Sequence, residues 1–310
     1  MRILLAGGAG FIGINLTKRL VKNGHEIIVI DNLATGLTEN VEILQQLGVM
    51  FIKHDICNVI TQDMGKIDAI FNLACPASPI DFGPRAIDIL AVCSKGLFNL
   101  LELARKHNAN FLQASTSECY GDPTVNPQPE TYWGNVNPIG LRSCYDEGKR
   151  FAEALTMAYH RKYGIQTHLA RIFNTYGPNM RSDDGRVLPN FITQAFEDKP
   201  LTVYGDGTQT RSFCYVDDLV DGLIRLMNSD YAKPVNIGNP DEITILQLAK
   251  EVIELTNSNS EIKFLPLPDD DPKIRRPDIA LARKILNWHP TTDRITGIKK
   301  TIKYFKETAQ

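Results

Sequence analysis

The chain has 310 residues, 43% apolar and 23% charged, with a formal net charge of −2. These proportions exclude a disordered, collagenous or coiled-coil chain, and at about 150 residues per domain they predict two domains or one with a lobe. The near-neutral charge leaves no basic excess for a nucleic-acid backbone or an anionic membrane, and no apolar run reaches the ~18 residues of a transmembrane helix. In chain order, a buried strand is predicted at 3–6 and a helix at 11–22. Strands follow at 27–30, 49–52 and 69–73, a long amphipathic helix at 87–106, a strand at 111–114, a second long helix at 144–163 and a strand at 167–172. Short apolar strands alternating with helices indicate βαβ units and a parallel sheet. Beyond residue 173, helical patterns at 188–196, 219–228, 246–255, 279–286 and 295–305 mix with strand-like pieces at 201–204, 213–216, 235–237 and 262–265. Pro266, Pro268, Pro272 and Pro277 mark a stiff loop.

Between the first strand and the first helix lies Gly7-Gly8-Ala9-Gly10-Phe11-Ile12-Gly13. Glycine permits the tight turn there and lets the backbone approach a pyrophosphate at the helix N-terminus, where free N–H groups favour anions. Asp31 ends the second strand, 18 residues past Gly13, where it accepts hydrogen bonds from adenosine ribose hydroxyls and repels a 2′-phosphate. This pattern points to NAD rather than NADP. The predicted fold is α/β: a Rossmann-type doubly wound parallel sheet at 1–173, then a smaller C-terminal α/β substrate-binding lobe at 174–310. The chain is expected to cross back to the first domain around 205–240.

Two further groupings carry chemistry. Tyr145 and Lys149 are four residues apart on the second long helix and share a face. An ammonium near a phenol stabilises phenolate, which lowers the tyrosine pKa from ~10 and makes it a proton acceptor. Ser115-Thr116-Ser117-Glu118-Cys119-Tyr120-Gly121 follows a strand whose C-terminal end faces the ligand crevice of such sheets. The six cysteines, Cys57, Cys75, Cys93, Cys119, Cys144 and Cys214, contain no Cys-x-x-Cys pair. Their spacing suggests neither a metal site nor a redox dithiol, and reduced thiols favour a cytoplasmic compartment.

Together, Gly7–Gly13, Ser115–Gly121 and Tyr145/Lys149 resemble the extended short-chain dehydrogenase/reductase family of nucleotide-sugar enzymes. Within it, Asn72-Leu73-Ala74-Cys75-Pro76-Ala77-Ser78-Pro79, Arg142-Ser143-Cys144-Tyr145-Asp146-Glu147-Gly148-Lys149-Arg150 and Arg275-Arg276-Pro277-Asp278 are similar to the UDP-glucuronate decarboxylase branch. No long N-terminal membrane anchor of the kind some relatives carry is expected. Dehydratases of the family carry Thr-Asp-Glu where this chain has Thr116-Ser117-Glu118, and hexose 4-epimerases usually lack that carboxylate. One segment departs: Ala91-Val92-Cys93-Ser94-Lys95-Gly96-Leu97 replaces the family's Asn-Thr-x-Gly-Thr.

The resemblance implies a redox-neutral decarboxylation of UDP-glucuronate to UDP-xylose through a 4-keto sugar, with tightly bound NAD. It assigns catalysis to Tyr145, Lys149, Glu118, Thr116, Ser117 and Arg275, the last meeting the sugar carboxylate; the alternative for Arg275 is a loop arginine answering Asp269-Asp270-Asp271. Cofactor contacts fall to Gly7, Gly10, Phe11, Ile12, Gly13, Asp31, Asn32, Asp55, Ile56, Leu73, Ala74, Tyr145 and Lys149. Substrate contacts fall to Pro79, Asn174, Arg186, Val187, Thr202, Tyr204, Arg211 and Arg275. A homodimer is implied through the two long helices, whose stripes hold Leu90, Leu97, Leu101, Phe151, Leu155 and Tyr159. The alternatives are a 4-epimerase, a decarboxylase of another nucleotide-linked uronate, or a non-catalytic NAD or nucleotide-sugar sensor.

Overall fold

The computed structural model of the chain describes residues 1–267 and 274–308. Pro268 and Pro272 of the expected loop, and the run Asp269-Asp270-Asp271, lie outside the described residues.

Side-chain alternation on the first strand decides the layering. In β1 (Arg2–Ala6), Ile3 and Leu5 enter one apolar cluster while Leu4 and Ala6 enter another, and all four are buried. A strand buried on both faces needs helices on both. The chain supplies them in sequence: α1 (Phe11–Lys22), β2 (Glu26–Asp31), α2 (Thr38–Gln46), β3 (Met50–Lys53) and β4 (Ala69–Asn72). A helical rod follows as α3 (Ala86–Ala91), a π turn at Val92–Gly96 and α4 (Leu97–His107). Then come β5 (Asn110–Thr116), α5 (Ser143–Tyr163), β6 (Thr167–Ile172) and β7 (Thr175–Tyr176). The second half carries α6 (Val187–Phe196), β8 (Leu201–Tyr204), β9 (Thr210–Ser212), β10 (Cys214–Tyr215), α7 (Val216–Met227) and β11 (Pro234–Ile237). It closes with β12 (Glu242–Thr244), α8 (Ile245–Thr256), β13 (Ile262–Leu265), α9 (Ala280–Leu286) and α10 (Arg294–Thr308).

Seven strands form one sheet in the order β3-β2-β1-β4-β5-β6-β11, and every neighbouring pair is parallel. The order reverses between β1 and β4, which opens a crevice beyond the strands' C-terminal ends. Leu16 and Leu20 of α1 and Leu219 and Leu223 of α7 pack on one face; Leu97 and Leu101 of α4 and Ala152 and Tyr159 of α5 pack on the other. Thus α7 and β11, from the second half of the chain, belong to the large sheet. Elsewhere β8 pairs in parallel with β13 and β9 antiparallel with β12. Helix α8 begins at a capping box between Thr244 and Gln247.

Three features differ from expectation. The rod at 86–107 is helical throughout, yet it is interrupted by the π turn at Val92–Gly96. Gly96 presses on Ile56, where a Cβ would lie 2.8 Å from the Ile56 side chain. Helix α2 was not anticipated, since it has few apolar residues and no side-chain cap. The anticipated dimer stripe is divided: Leu97 and Leu101 are fully buried in this chain's own core and Tyr159 nearly so, while Leu90 and Phe151 are exposed. No helix among the described residues is long and apolar enough to cross a membrane.

The loop after β5 is tied to the segment before α9. Gln128 N donates to Arg276 O at 2.9 Å, Asp278 N to Gln128 O at 3.0 Å, and Arg276 N to the Gln128 side chain at 2.8 Å. Asn236 of β11 accepts from the Tyr120 hydroxyl at 2.7 Å and donates to Gln128 O and Asp278 O. These bonds fix the backbone that follows Arg275.

Candidate active site

The C-terminal ends of β1, β2, β4, β5 and β6 open into one cleft of about 530 Å³. Its first wall is the glycine turn. Gly7 has φ +80°, and a Cβ there would lie 2.7 Å from Ala74 N; a Cβ on Gly13 would lie 2.3 Å from Gly7 O. Only glycine lets the helix close on the turn at this distance. Gly10 caps α1 with its backbone alone, so the first N–H groups of the helix at Phe11, Ile12 and Gly13 face the cleft wall without side-chain acceptors. That is a seat for a pyrophosphate. Asp31, at the end of β2, accepts from Ala9 N at 3.0 Å and Leu33 N at 2.8 Å. Burial nevertheless raises its pKa, against those two bonds. Asn32 donates to Asp55 at 3.1 Å, and Ile56, Leu73 and Ala74 complete this side. An aspartate over a glycine cradle with no room for a Cβ fits an NAD adenosine and pyrophosphate.

The opposite wall carries the titratable groups. Thr116 ends β5, Ser117 and Glu118 follow it directly, and Thr116 accepts from Glu118 N at 3.2 Å. Tyr145 and Lys149 project from the first turns of α5, both buried. Phe82 stacks on the Tyr145 ring, centroids 5.1 Å apart. Lys149 Nζ donates to Ala114 O at 2.9 Å and stands 5.6 Å from the centre of the Tyr145 ring. The lysine was expected to bring the phenol down toward working pH. Here burial wins: the Tyr145 hydroxyl is pushed up to about 12, although Lys149 and the Thr116 hydroxyl pull the other way. Burial opposes the charge on Lys149 as well, but Cys75, Tyr145, Cys93 and Cys119 around it leave its pKa raised.

Glu118 is clamped by two arginines. Arg142 Nη2 donates to its Oε2 at 2.8 Å, and Arg275 Nη1 to its Oε1. Burial opposes the charge, yet Arg275 and Arg142 hold the carboxyl down at about 2. Arg275 is 2% exposed, does not line the cleft, and also donates to Gly121 O at 3.3 Å. In this structure its partner is therefore Glu118, the residue that stands between it and the cleft. Asp146, one residue beyond Tyr145, is buried; among the described residues its Oδ1 meets no donor. Burial first, and then the Glu118 carboxylate, push Asp146 up from 3.8 to about 7, against Arg142 and Arg275.

Of the residues assigned to substrate, Pro79, Asn174 and Arg186 line the cleft. Val187, Thr202, Tyr204 and Arg211 do not: Val187 opens α6, and Thr202 is bonded to the Gln194 side chain on α6. The sequence reading gave no role to Arg142, Ser78 or Asp184. Ser78 donates to Asp184 O and Arg186 to Ala77 O at 3.3 Å, so the loop before α6 folds over the segment after β4. Arg142 stands one turn before Tyr145 in a stretch already noted; a basic residue there carries no separate signal. Among the described residues no group of His, Cys, Asp and Glu is arranged to hold a metal ion.

Residues 3–238 match the model of the NAD dependent epimerase/dehydratase family. UDP-glucuronic acid decarboxylase 4 of Arabidopsis thaliana is 49% identical over 99% of this chain and 69% of its own length. UDP-glucuronic acid decarboxylase 1 of Danio rerio is 50% identical over 98% of this chain and 72% of its own. Among solved structures, UDP-glucose 4-epimerase from Thermotoga maritima, crystallised with UDP-glucose, superposes with a TM-score of 0.92 at 28% identity over all of both chains. UDP-glucuronic acid 4-epimerase from Bacillus cereus, with UDP-glucuronic acid and NAD, gives 0.87 at 30% identity over 99% of this chain and 100% of that one.

The Asp146 carboxyl sets a pH dependence of stability. Its folded pKa is raised, so the folded state keeps a proton that the unfolded chain loses; stability falls as pH rises between 3.8 and about 7. Asp146→Asn removes the ionisation. Its thermal midpoint is expected to exceed that of the unmutated protein at pH 8, with the gap closing toward pH 4. Thermal unfolding followed across that range tests this, and a gap independent of pH contradicts it.

Proposed function

The chain belongs to the NAD dependent epimerase/dehydratase family, and on that footing we propose that it removes CO₂ from UDP-glucuronate to leave UDP-xylose. The carrying observation is a contrast in identity: proteins named as UDP-glucuronic acid decarboxylases share 48–51% of their residues with this chain along almost its whole length, while solved epimerases of the same fold share 25–30%.

NAD, when bound, supplies a hydride acceptor at the start of turnover and the donor at its end, so the reaction is redox-neutral overall. The glycine turn, Asp31, Asn32, Asp55, Ile56, Leu73 and Ala74 would hold it, with residues 1–173 and the returning α7 and β11 as the cofactor-binding part and the rest of 174–310 as the sugar-binding part. Tyr145 accepts the proton of the sugar 4-hydroxyl. Its phenol is protonated at rest, so it serves as a base only in so far as Lys149 and Thr116 stabilise the phenolate. The 4-ketone so formed makes the sugar carboxylate a β-keto acid. The C–C bond breaks, its electron pair moves onto the ketone oxygen, and CO₂ leaves. Tyr145, now carrying its proton, and Thr116 donate to that enolate oxygen. C5 then takes up a proton. Glu118, held near pKa 2, has no proton to give at neutral pH, so we assign it the orientation of the proton-bearing water; Ser117 lies beside it in the cleft wall. An entering uronate carboxylate competes with Glu118 for Arg275, with Pro79, Asn174 and Arg186 of the cleft lining assigned to the rest of the nucleotide sugar.

We further infer a homodimer through α3, α4 and α5, supported by the exposed Ile87, Leu90, Phe98 and Phe151. A reducing, cytoplasmic compartment is supported by six free thiols.

Four outcomes test this reading. Tyr145→Phe should keep its cofactor and lose turnover by about 10²–10⁴-fold, the usual cost of a lost acid–base group, read as CO₂ release from UDP-glucuronate. Conversion of UDP-glucuronate to its C4-epimer without CO₂ by the unmutated protein would make it an epimerase. Arg275→Ala should weaken binding of UDP-glucuronate more than of UDP-glucose in calorimetry, because only the first has a carboxylate for the guanidinium; equal losses would make Arg275 a structural residue. Light scattering should give twice the mass of 34.7 kDa at micromolar concentration, and a monomer contradicts the dimer.

A further inference from the structure

Two thiols with no part in the reaction meet behind the cleft. Cys75 follows β4 and lines the cleft. Cys93 lies in the π turn, buried, and is not part of the lining. Their sulfur atoms are 3.8 Å apart, although the residues are 18 positions apart in sequence. We propose that Cys75 and Cys93 form a reversible oxidation site, at which hydrogen peroxide joins the two thiols as a disulfide and stops turnover.

The chemistry balances on the two sulfurs and one peroxide. The Cys75 thiolate attacks a peroxide oxygen; the S–O bond forms, the O–O bond breaks, and the leaving hydroxide takes a proton to become water. Cys93 sulfur then attacks the sulfenic sulfur of Cys75; the S–S bond forms, the S–O bond breaks, and the second water leaves with the Cys93 proton. Two thiols lose two electrons and the peroxide gains them.

Geometry and electrostatics select this pair among the six cysteines. A disulfide needs its sulfurs about 2.05 Å apart, so the gap has to close by less than 2 Å. The S–H of Cys93 and the ammonium of Lys149 stabilise the Cys75 thiolate against burial and bring it down to about 7. Burial instead pushes Cys57 up to about 11, Cys119 up to about 12, and Cys144 and Cys214 upward too. Drawing Cys75 toward the π turn pulls on Ala74, its neighbour in the cofactor wall beside Gly7. Bond formation also removes a thiolate from beside Lys149. Turnover is therefore expected to fall by roughly tenfold or more, as when reacting groups are displaced by a fraction of an ångström.

The experiment treats the purified protein with hydrogen peroxide, blocks remaining thiols, and compares CO₂ release with mass spectra of unreduced digests. A peptide pair linked through Cys75 and Cys93 should appear in step with the loss of turnover, and dithiothreitol should reverse both. Cys93→Ser, whose hydroxyl keeps a donor beside the Cys75 sulfur, should turn over normally before treatment. Under sustained peroxide its Cys75 should proceed to sulfinic acid, and dithiothreitol should restore nothing. The absence of the linked pair in the unmutated protein overturns the proposal. So does a Cys93 variant that recovers with dithiothreitol as fully as the unmutated protein. The linked-peptide readout does not depend on which sugar the enzyme converts.

Discussion

A sheet whose seven strands all run the same way must return the chain to its starting edge after each one, and this requirement organises the molecule. Every strand then ends at the same edge. Gly7 after β1, Asp31 at the end of β2, Leu73 and Ala74 after β4, Thr116 to Glu118 at the end of β5 and Asn174 after β6 arrive there from positions spread over more than half the chain. The helices that make the returns bury both faces of the sheet, which is why Ile3 and Leu5 belong to one core cluster and Leu4 and Ala6 to the other. The site is thus on the rigid end of the scaffold, and α5 can carry Tyr145 and Lys149 to it because its first turns lie against the end of β5.

The second constraint is electrostatic. Glu118, Arg142, Tyr145 and Lys149 in the cleft wall, with Arg275 and Asp146 behind it, share a region where most of these side chains are buried. Burying charge is costly unless each group has a partner. The structure answers by pairing: Glu118 with two guanidinium groups, Lys149 with a carbonyl and with the dipolar thiols and phenol around it. The pairings pull the carboxyls in opposite directions. Glu118 stays ionised at any ordinary pH, while Asp146, facing the same arginines behind an existing negative charge, rises to about 7. Such divergence between neighbouring carboxyls is characteristic of reaction sites. It also shows why the phenol of Tyr145 rests protonated: desolvation of a buried anion outweighs one ammonium that stands beside the ring rather than at the hydroxyl.

Much of this was legible in the amino-acid sequence, because it rests on local rules. Short apolar runs and period-3.6 patterns located the strands of the large sheet and the helices α1 and α5 to within a residue or two, and the glycine spacing with Asp31 pointed to the cofactor half. What escaped was what depends on packing between distant segments. The π turn at Val92–Gly96 sets Gly96 against Ile56, a contact that no local pattern encodes. The burial of Leu97 and Leu101 depends on which side of the rod meets the sheet.

The site divides in the same way. Residue types and their spacing within one helix or one turn determined the candidates at Gly7–Gly13, Thr116–Glu118 and Tyr145/Lys149, since those side chains act over a few residues of chain. Only the tertiary structure decided what each of them faces. It set Arg275 against Glu118 across 157 residues, added Arg142 to the pair, and left Thr202 beside Gln194 rather than in the cleft wall. It also brought Cys75 and Cys93 to 3.8 Å, where their spacing had suggested no dithiol. The reason is physical: sequence patterns report which face of an element is apolar, whereas ion pairs and sulfur contacts depend on where crossovers and loops return the chain, and that is settled by the packing of the whole sheet.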